Sequence, residues 1–126
     1  MQINQSYNRS HQQSFGAFHI HAGVKEALQK RASATDIEEI AKLITEQKLN
    51  KNVDITLYTT KSTKLGANIF PKDFKTSVAT KQPQEGLFYR LRSPLKFIKS
   101  ICKKADKMSE NIELENTKRQ ALSNIE

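Results

Sequence analysis

The sequence predicts a small α+β fold, on three observations. Val53, Ile55 and Leu57 alternate with Asp54, Thr56 and Tyr58, the period of two expected of a half-buried strand. Ile37, Ile40, Ala41 and Ile44 recur at helical spacing behind a capping signal. Ser93-Pro94 supplies an N-cap serine with proline at the first helical position, and a long amphipathic stretch follows it. The expected architecture is an antiparallel sheet of three or four strands. Two helices from the N-terminal half and a basic C-terminal helix cover it.

In chain order, residues 1–13 are rich in Gln, Asn and Ser with almost nothing to bury, so they predict a disordered polar tail. Residues 14–108 predict a single domain. Phe18 and Ile20 alternate with His19 and His21 as a first strand, and Ala22-Gly23 breaks it. Val24, Ala27, Leu28 and Arg31 then predict a short helix over about 23–32. Thr35 with Glu38 fits a capping box for a second helix over about 36–48, with Asp36, Glu38 and Glu39 where the helix dipole favours anions. The strand at 53–58 is followed by a polar turn and a return strand at 65–70. Residues 76–80 suggest a weak edge strand, and 87–92 fit either a strand or a helical turn. The third helix is expected to run from 94 to about 108, with continuation beyond it left open. Residues 109–126 predict a helical or frayed tail. The expected core includes Phe18, Ile20, Leu28, Ile40, Ile44, Val53, Ile55, Leu57, Ile69, Phe70, Ile98 and Ile101.

Size and composition limit the function classes. A chain of 126 residues suits one modest core. A lone cysteine, Cys102, excludes an intramolecular disulfide and any Cys-based zinc site within one chain, and it fits a reducing compartment. No apolar run approaches the roughly 18 residues of a spanning helix, and the first residues lack a signal-peptide core, so the expected setting is cytoplasmic.

Charge carries the functional information. Residues 61–107 hold twelve Lys/Arg against three acids, a net +9 in a chain whose total is +8. Positive charge this concentrated calls for an acidic partner. On a helix, Lys96, Lys99, Lys103 and Lys107 fall within roughly 80° of one another, opposite an apolar half that contains Ile98, Ile101 and Cys102. A solvated lysine face on a packed helix explains part of this pattern. The candidate polyanion-binding residues are these four lysines together with Lys61, Lys64, Lys72, Lys75, Arg90 and Arg92. The interleaved run Phe88-Tyr89-Arg90-Leu91-Arg92 suits stacking and phosphate recognition.

Other chemistry has weaker support. His19 and His21 point to the same side of a strand and are candidate zinc ligands, with His11 in the tail as a third. No glycine-rich phosphate loop precedes a Lys-Ser/Thr pair, and Cys102 lies on the apolar side of its helix. The expected function is therefore a non-catalytic binding protein without cofactor or small-molecule substrate. Its basic surface would contact nucleic acid or another polyanion without reading sequence. The alternatives are an adaptor or inhibitor docking on an acidic protein, and a membrane-surface-associated protein.

Overall fold

The computed structural model describes residues 17–73 and 75–125. The tail at 1–13, His11 and the start of the first strand before Ala17 lie outside the described residues. The fold is α+β, with the order β1 (Phe18–Ile20), α1 (Val24–Arg31), α2 (Ala34–Gln47), β2 (Val53–Thr59), β3 (Leu65–Pro71) and α3 (Pro94–Ser123). A 3₁₀ turn at Tyr89–Leu91 precedes α3.

The sheet is mixed, not antiparallel throughout. β2 and β3 form the expected hairpin, in register from Val53↔Pro71 to Thr59↔Leu65. β1 instead pairs parallel to β2, Phe18 opposite Ile55 and Ile20 opposite Leu57. The reason is the connection. α1 and α2 carry the chain back to the end of the sheet where β1 began, and parallel strands require a crossover of this kind. Asp54 secures the new edge, since its Oδ1 accepts the Ala17 N–H at 2.8 Å.

The predicted edge strand at 76–80 is replaced by a later segment. Residues 81–85 run along β3, with Lys81 and Ile69 exchanging backbone bonds and the Glu85 N–H reaching the Leu65 carbonyl. The predicted capping box also shifts by two residues. Ser33, not Thr35, caps α2, its Oγ accepting the Asp36 N–H at 3.1 Å. Ser93 caps α3 as expected and donates to Asp36 Oδ2, which ties the starts of α2 and α3 together.

Helices α1 and α3 pack on the sheet, and α2 reaches the body mainly through α3. One apolar cluster results, built from Val24, Ala27 and Leu28 of α1, alternate residues of β2 and β3, and the stripe Ile98, Ile101, Ala105, Met108 and Ile112 of α3. The core therefore extends past residue 108, where the sequence suggested that the tail begins. Ile20 is 38% exposed because it ends a three-residue edge strand. Phe70 and Ile44 are only half-buried. With Ile69 pointing into the core, the pleat directs Phe70 to the opposite face. Gly66 stands opposite Tyr58, and a Cβ there would lie 2.8 Å from that ring.

A buried ion pair fixes the long connection between β3 and α3. Arg31 leaves the last turn of α1 and grips Glu85 with both terminal nitrogens, at 2.5 and 2.8 Å. The side chains are 7% and 5% exposed. The same guanidinium donates to the carbonyls of Thr63, Tyr89 and Arg92. Glu85 also accepts the Leu65 N–H through Oε1. At the other end of the sheet, the Glu115 carboxylate of α3 holds residues 76–77 by accepting the Thr76 and Ser77 hydroxyls and the Ser77 N–H. These bonds pull its pKa down to about 2.

Two expectations follow. Glu85→Ala should destabilise the fold by about 3–5 kcal/mol, because it leaves the buried guanidinium without its counter-charge. Urea unfolding should show the loss, and a variant as stable as wild type would contradict the clamp. Glu115 has a depressed folded-state pKa, so its contribution is complete above the ordinary carboxylate range near 4.5 and is lost as pH falls towards 2. The wild type should therefore lose more stability between pH 5 and pH 2 than Glu115→Gln, as read from urea midpoints at each pH.

Candidate basic surface

Helix α3 organises the basic residues, because its apolar stripe must face the sheet. Burial of Ile98, Ile101, Ala105, Met108 and Ile112 leaves Lys96, Lys99, Lys103 and Lys107 exposed on the far side. These four, with Lys104, line a groove of about 710 Å³ closed on the α2 side by Leu43. A smaller depression of about 230 Å³ continues it past the start of α3, lined by Arg92, Ser93, Tyr89 and Gly86 among others, and Lys96 borders both. A basic strip thus runs from Arg92 to Lys107, roughly 17 Å along the helix from Lys96 onwards.

The strip is only partly compensated. Lys99 meets Glu39 of α2 at 3.3 Å, and Lys107 meets Glu110 at 3.8 Å. Both pairs are exposed, so each is worth only about 0–1 kcal/mol and yields easily to a stronger anion. Among the described residues, Lys96 and Lys103 have no ion-pair partner. The strip ends where an acidic groove of about 920 Å³ begins, lined by Glu46, Asp106, Glu110 and Glu113 around Leu49 and Leu114. Asp106 borders both grooves and accepts the Gln47 amide at 2.8 Å.

The remaining candidates divide between the two ends of the sheet. Lys61 and Lys64 lie on the turn between β2 and β3, beside Thr63, whose carbonyl shares the Arg31 guanidinium with that of Arg92. They therefore belong to the same pole as Arg90 and Arg92. Lys72 and Lys75 lie beyond β3, a strand length of about 20 Å away. Lys75 sits beside the far part of α3, where Arg119 donates to its carbonyl at 3.4 Å. The hairpin therefore does not add all four of its lysines to one face.

The run at 87–92 forms the 3₁₀ turn. The Tyr89 ring has the Arg31 guanidinium 5.0 Å from its centroid and that of Arg90 at 5.3 Å. Sequence reasoning assigned Arg31 to a helical stripe and missed its role. Its partners lie 32 to 61 residues away, and no local pattern marks them. His19 and His21 are exposed on and just after β1. Among the described residues, no three His, Cys, Asp or Glu side chains gather in a way that could hold a metal ion. Cys102 is buried, and burial first, then the nearby Asp106 and Glu46, raises its pKa to about 11. No described helix is long and apolar enough to cross a membrane.

In comparisons with known proteins, no family model matches the chain, and no curated protein or solved structure matches it either.

A neutral, buried thiol makes a poor nucleophile. Native protein at pH 7.5 should therefore alkylate at Cys102 far more slowly than urea-unfolded protein. Iodoacetamide labelling read by mass spectrometry checks this, and equal rates would contradict the burial.

Proposed function

We propose that this chain is a small, non-catalytic binding module that uses the α3 lysine strip to hold a phosphate-bearing polyanion. The observation that carries this reading is the positive charge at the start of α3. A helix dipole favours acids in the first turn and bases in the last. α2 follows the first part of that rule, with Ser33 as cap and Asp36 in its first turn. α3 runs against it. Its first turn has no acid, Lys96 stands there, and Arg90 and Arg92 lie just upstream. The helix dipole gains nothing from a cationic start, and local rules broken in this way are expected at functional surfaces.

The lysines also suit the task. Each is a flexible point charge without the directional fork of arginine, which fits contact with repeated phosphates better than the reading of a particular base or side chain. The buried, neutral Cys102 supports a non-catalytic reading. The proposed setting is the cytoplasm, where a lone thiol stays reduced.

The test is a salt titration against duplex and single-stranded nucleic acid as polyanion probes. The logarithm of the affinity should fall steeply with the logarithm of salt concentration, since each phosphate neutralised releases counterions. Lys96→Glu, Lys99→Glu and Lys103→Glu combined should weaken binding at least tenfold at about 0.1 M salt without changing the circular dichroism spectrum. Binding that ignores both salt and these substitutions would overturn the proposal.

A further inference from the structure

The turn between residues 85 and 93 exposes apolar side chains that the fold does not use. Leu87 is 89% exposed, Phe88 66% and Leu91 84%. Three large apolar residues within five positions are unusual on a soluble surface, and contiguous patches of this kind mark interaction sites. The turn is also held from behind. Arg31 donates to the Tyr89 carbonyl at 2.6 Å and to that of Arg92 at 3.1 Å, and its guanidinium lies over the Tyr89 ring. The Leu91 N–H closes onto the Phe88 carbonyl at 3.0 Å. In a 3₁₀ turn, residues three apart lie on one side, so Phe88 and Leu91 project together. The apolar tip is thus displayed by a fixed backbone.

The surroundings of the tip are cationic. Residues 86–105 contain six Lys/Arg and no acid. Arg90 and Arg92 interleave with the apolar residues, and Lys96 leads from the tip into the lysine strip. This combination separates the possible polyanions. Nucleic acid offers base faces for stacking, where Phe88 fits and two leucines add little. A bilayer offers a hydrocarbon boundary for all three side chains and a layer of phosphates for the cations beside them.

We infer that Leu87, Phe88 and Leu91 form a membrane-seating tip that enters the interface of an anionic phospholipid bilayer while Arg90, Arg92 and the α3 lysines engage the headgroups. This inference rests on the polyanion reading above and names its partner. No spanning helix is required, because the tip reaches only the boundary between headgroups and acyl chains, roughly 5–10 Å deep.

The chain has no tryptophan, so Phe88→Trp creates a single reporter at the tip. With vesicles of phosphatidylcholine containing 30% phosphatidylserine, its emission should shift to the blue and be quenched by lipids brominated on the acyl chain. With pure phosphatidylcholine both effects should be weak. In sedimentation with the anionic vesicles, wild type should partition at least tenfold more strongly than the combined Leu87→Ser, Phe88→Ser and Leu91→Ser variant. That variant should keep the wild-type circular dichroism spectrum, which shows that it is folded, and the wild-type salt slope on duplex nucleic acid, whose paired and stacked bases offer Phe88 no free face. The combined Lys96→Glu, Lys99→Glu and Lys103→Glu variant should lose both activities. If wild type binds nucleic acid but not anionic vesicles, or if the tip variant sediments like wild type, the bilayer inference is wrong and the polyanion reading stands. If wild type binds neither probe, both are wrong.

Discussion

The buried guanidinium of Arg31 is the constraint on which the basic end of the molecule depends. It joins the last turn of α1, the turn between β2 and β3, the segment alongside β3 and the lead-in to α3. These pieces are far apart in the chain, and the connection from β3 to α3 contains little regular structure. Residues 81–85 are paired with β3 and residues 76–77 are held by Glu115, and the guanidinium anchors the remaining end of this long connection, a kind of loop that is uncommon in compact domains unless it is tied down. The carboxylate of Glu85 makes the arrangement tolerable. Two buried charges cost several kcal/mol each to desolvate unless they pair with good geometry and satisfy their remaining hydrogen bonds. Here the bidentate contact, three carbonyls and the Leu65 N–H supply those bonds. One atom is left over. Arg31 Nε is buried without a hydrogen-bond partner among the described residues.

The sequence made regular elements legible wherever one face must be buried. The alternation in β2, the stripe in α2 and the Ser93-Pro94 start of α3 all express a local rule, and each element starts within a few residues of its expected place, though α3 continues unbroken to Ser123, past the end expected near 108. What escaped were relations between distant residues. The parallel pairing of β1 depends on where two helices deliver the chain, which no period reveals. The α2 cap shifted because Ser33 and Thr35 both offer a hydroxyl at a plausible spacing, and only the packed helix selects one. Phe70 and Ile69 are adjacent apolar residues, so alternation alone did not say which would point inwards.

The candidate surface was legible to the same degree. The lysine face of α3 follows from its apolar stripe by geometry, because burying one half exposes the other. Whether the hairpin lysines join that face is a question of topology, and the seven-residue length of β3 separates Lys61 and Lys64 from Lys72 and Lys75. Arg31 illustrates the limit. An arginine in a short amphipathic helix resembles a solvated charge until a glutamate 54 residues later is brought against it.

The length of α3 divides it into two physical regimes. Thirty residues make a rod of about 45 Å, yet its buried positions end at Ile112. Among the described residues, the turns beyond that point are attached through polar contacts, those of the Glu113 and Glu115 carboxylates and of Arg119, while Leu114 and Leu122 face solvent. A short helical segment without packing is only marginally stable by itself. The last turns therefore depend cooperatively on the packed part for their order. The first half of α3 acts as a rigid beam that carries the cations, and the second half acts as a tether whose helicity reports how firmly the rest is held.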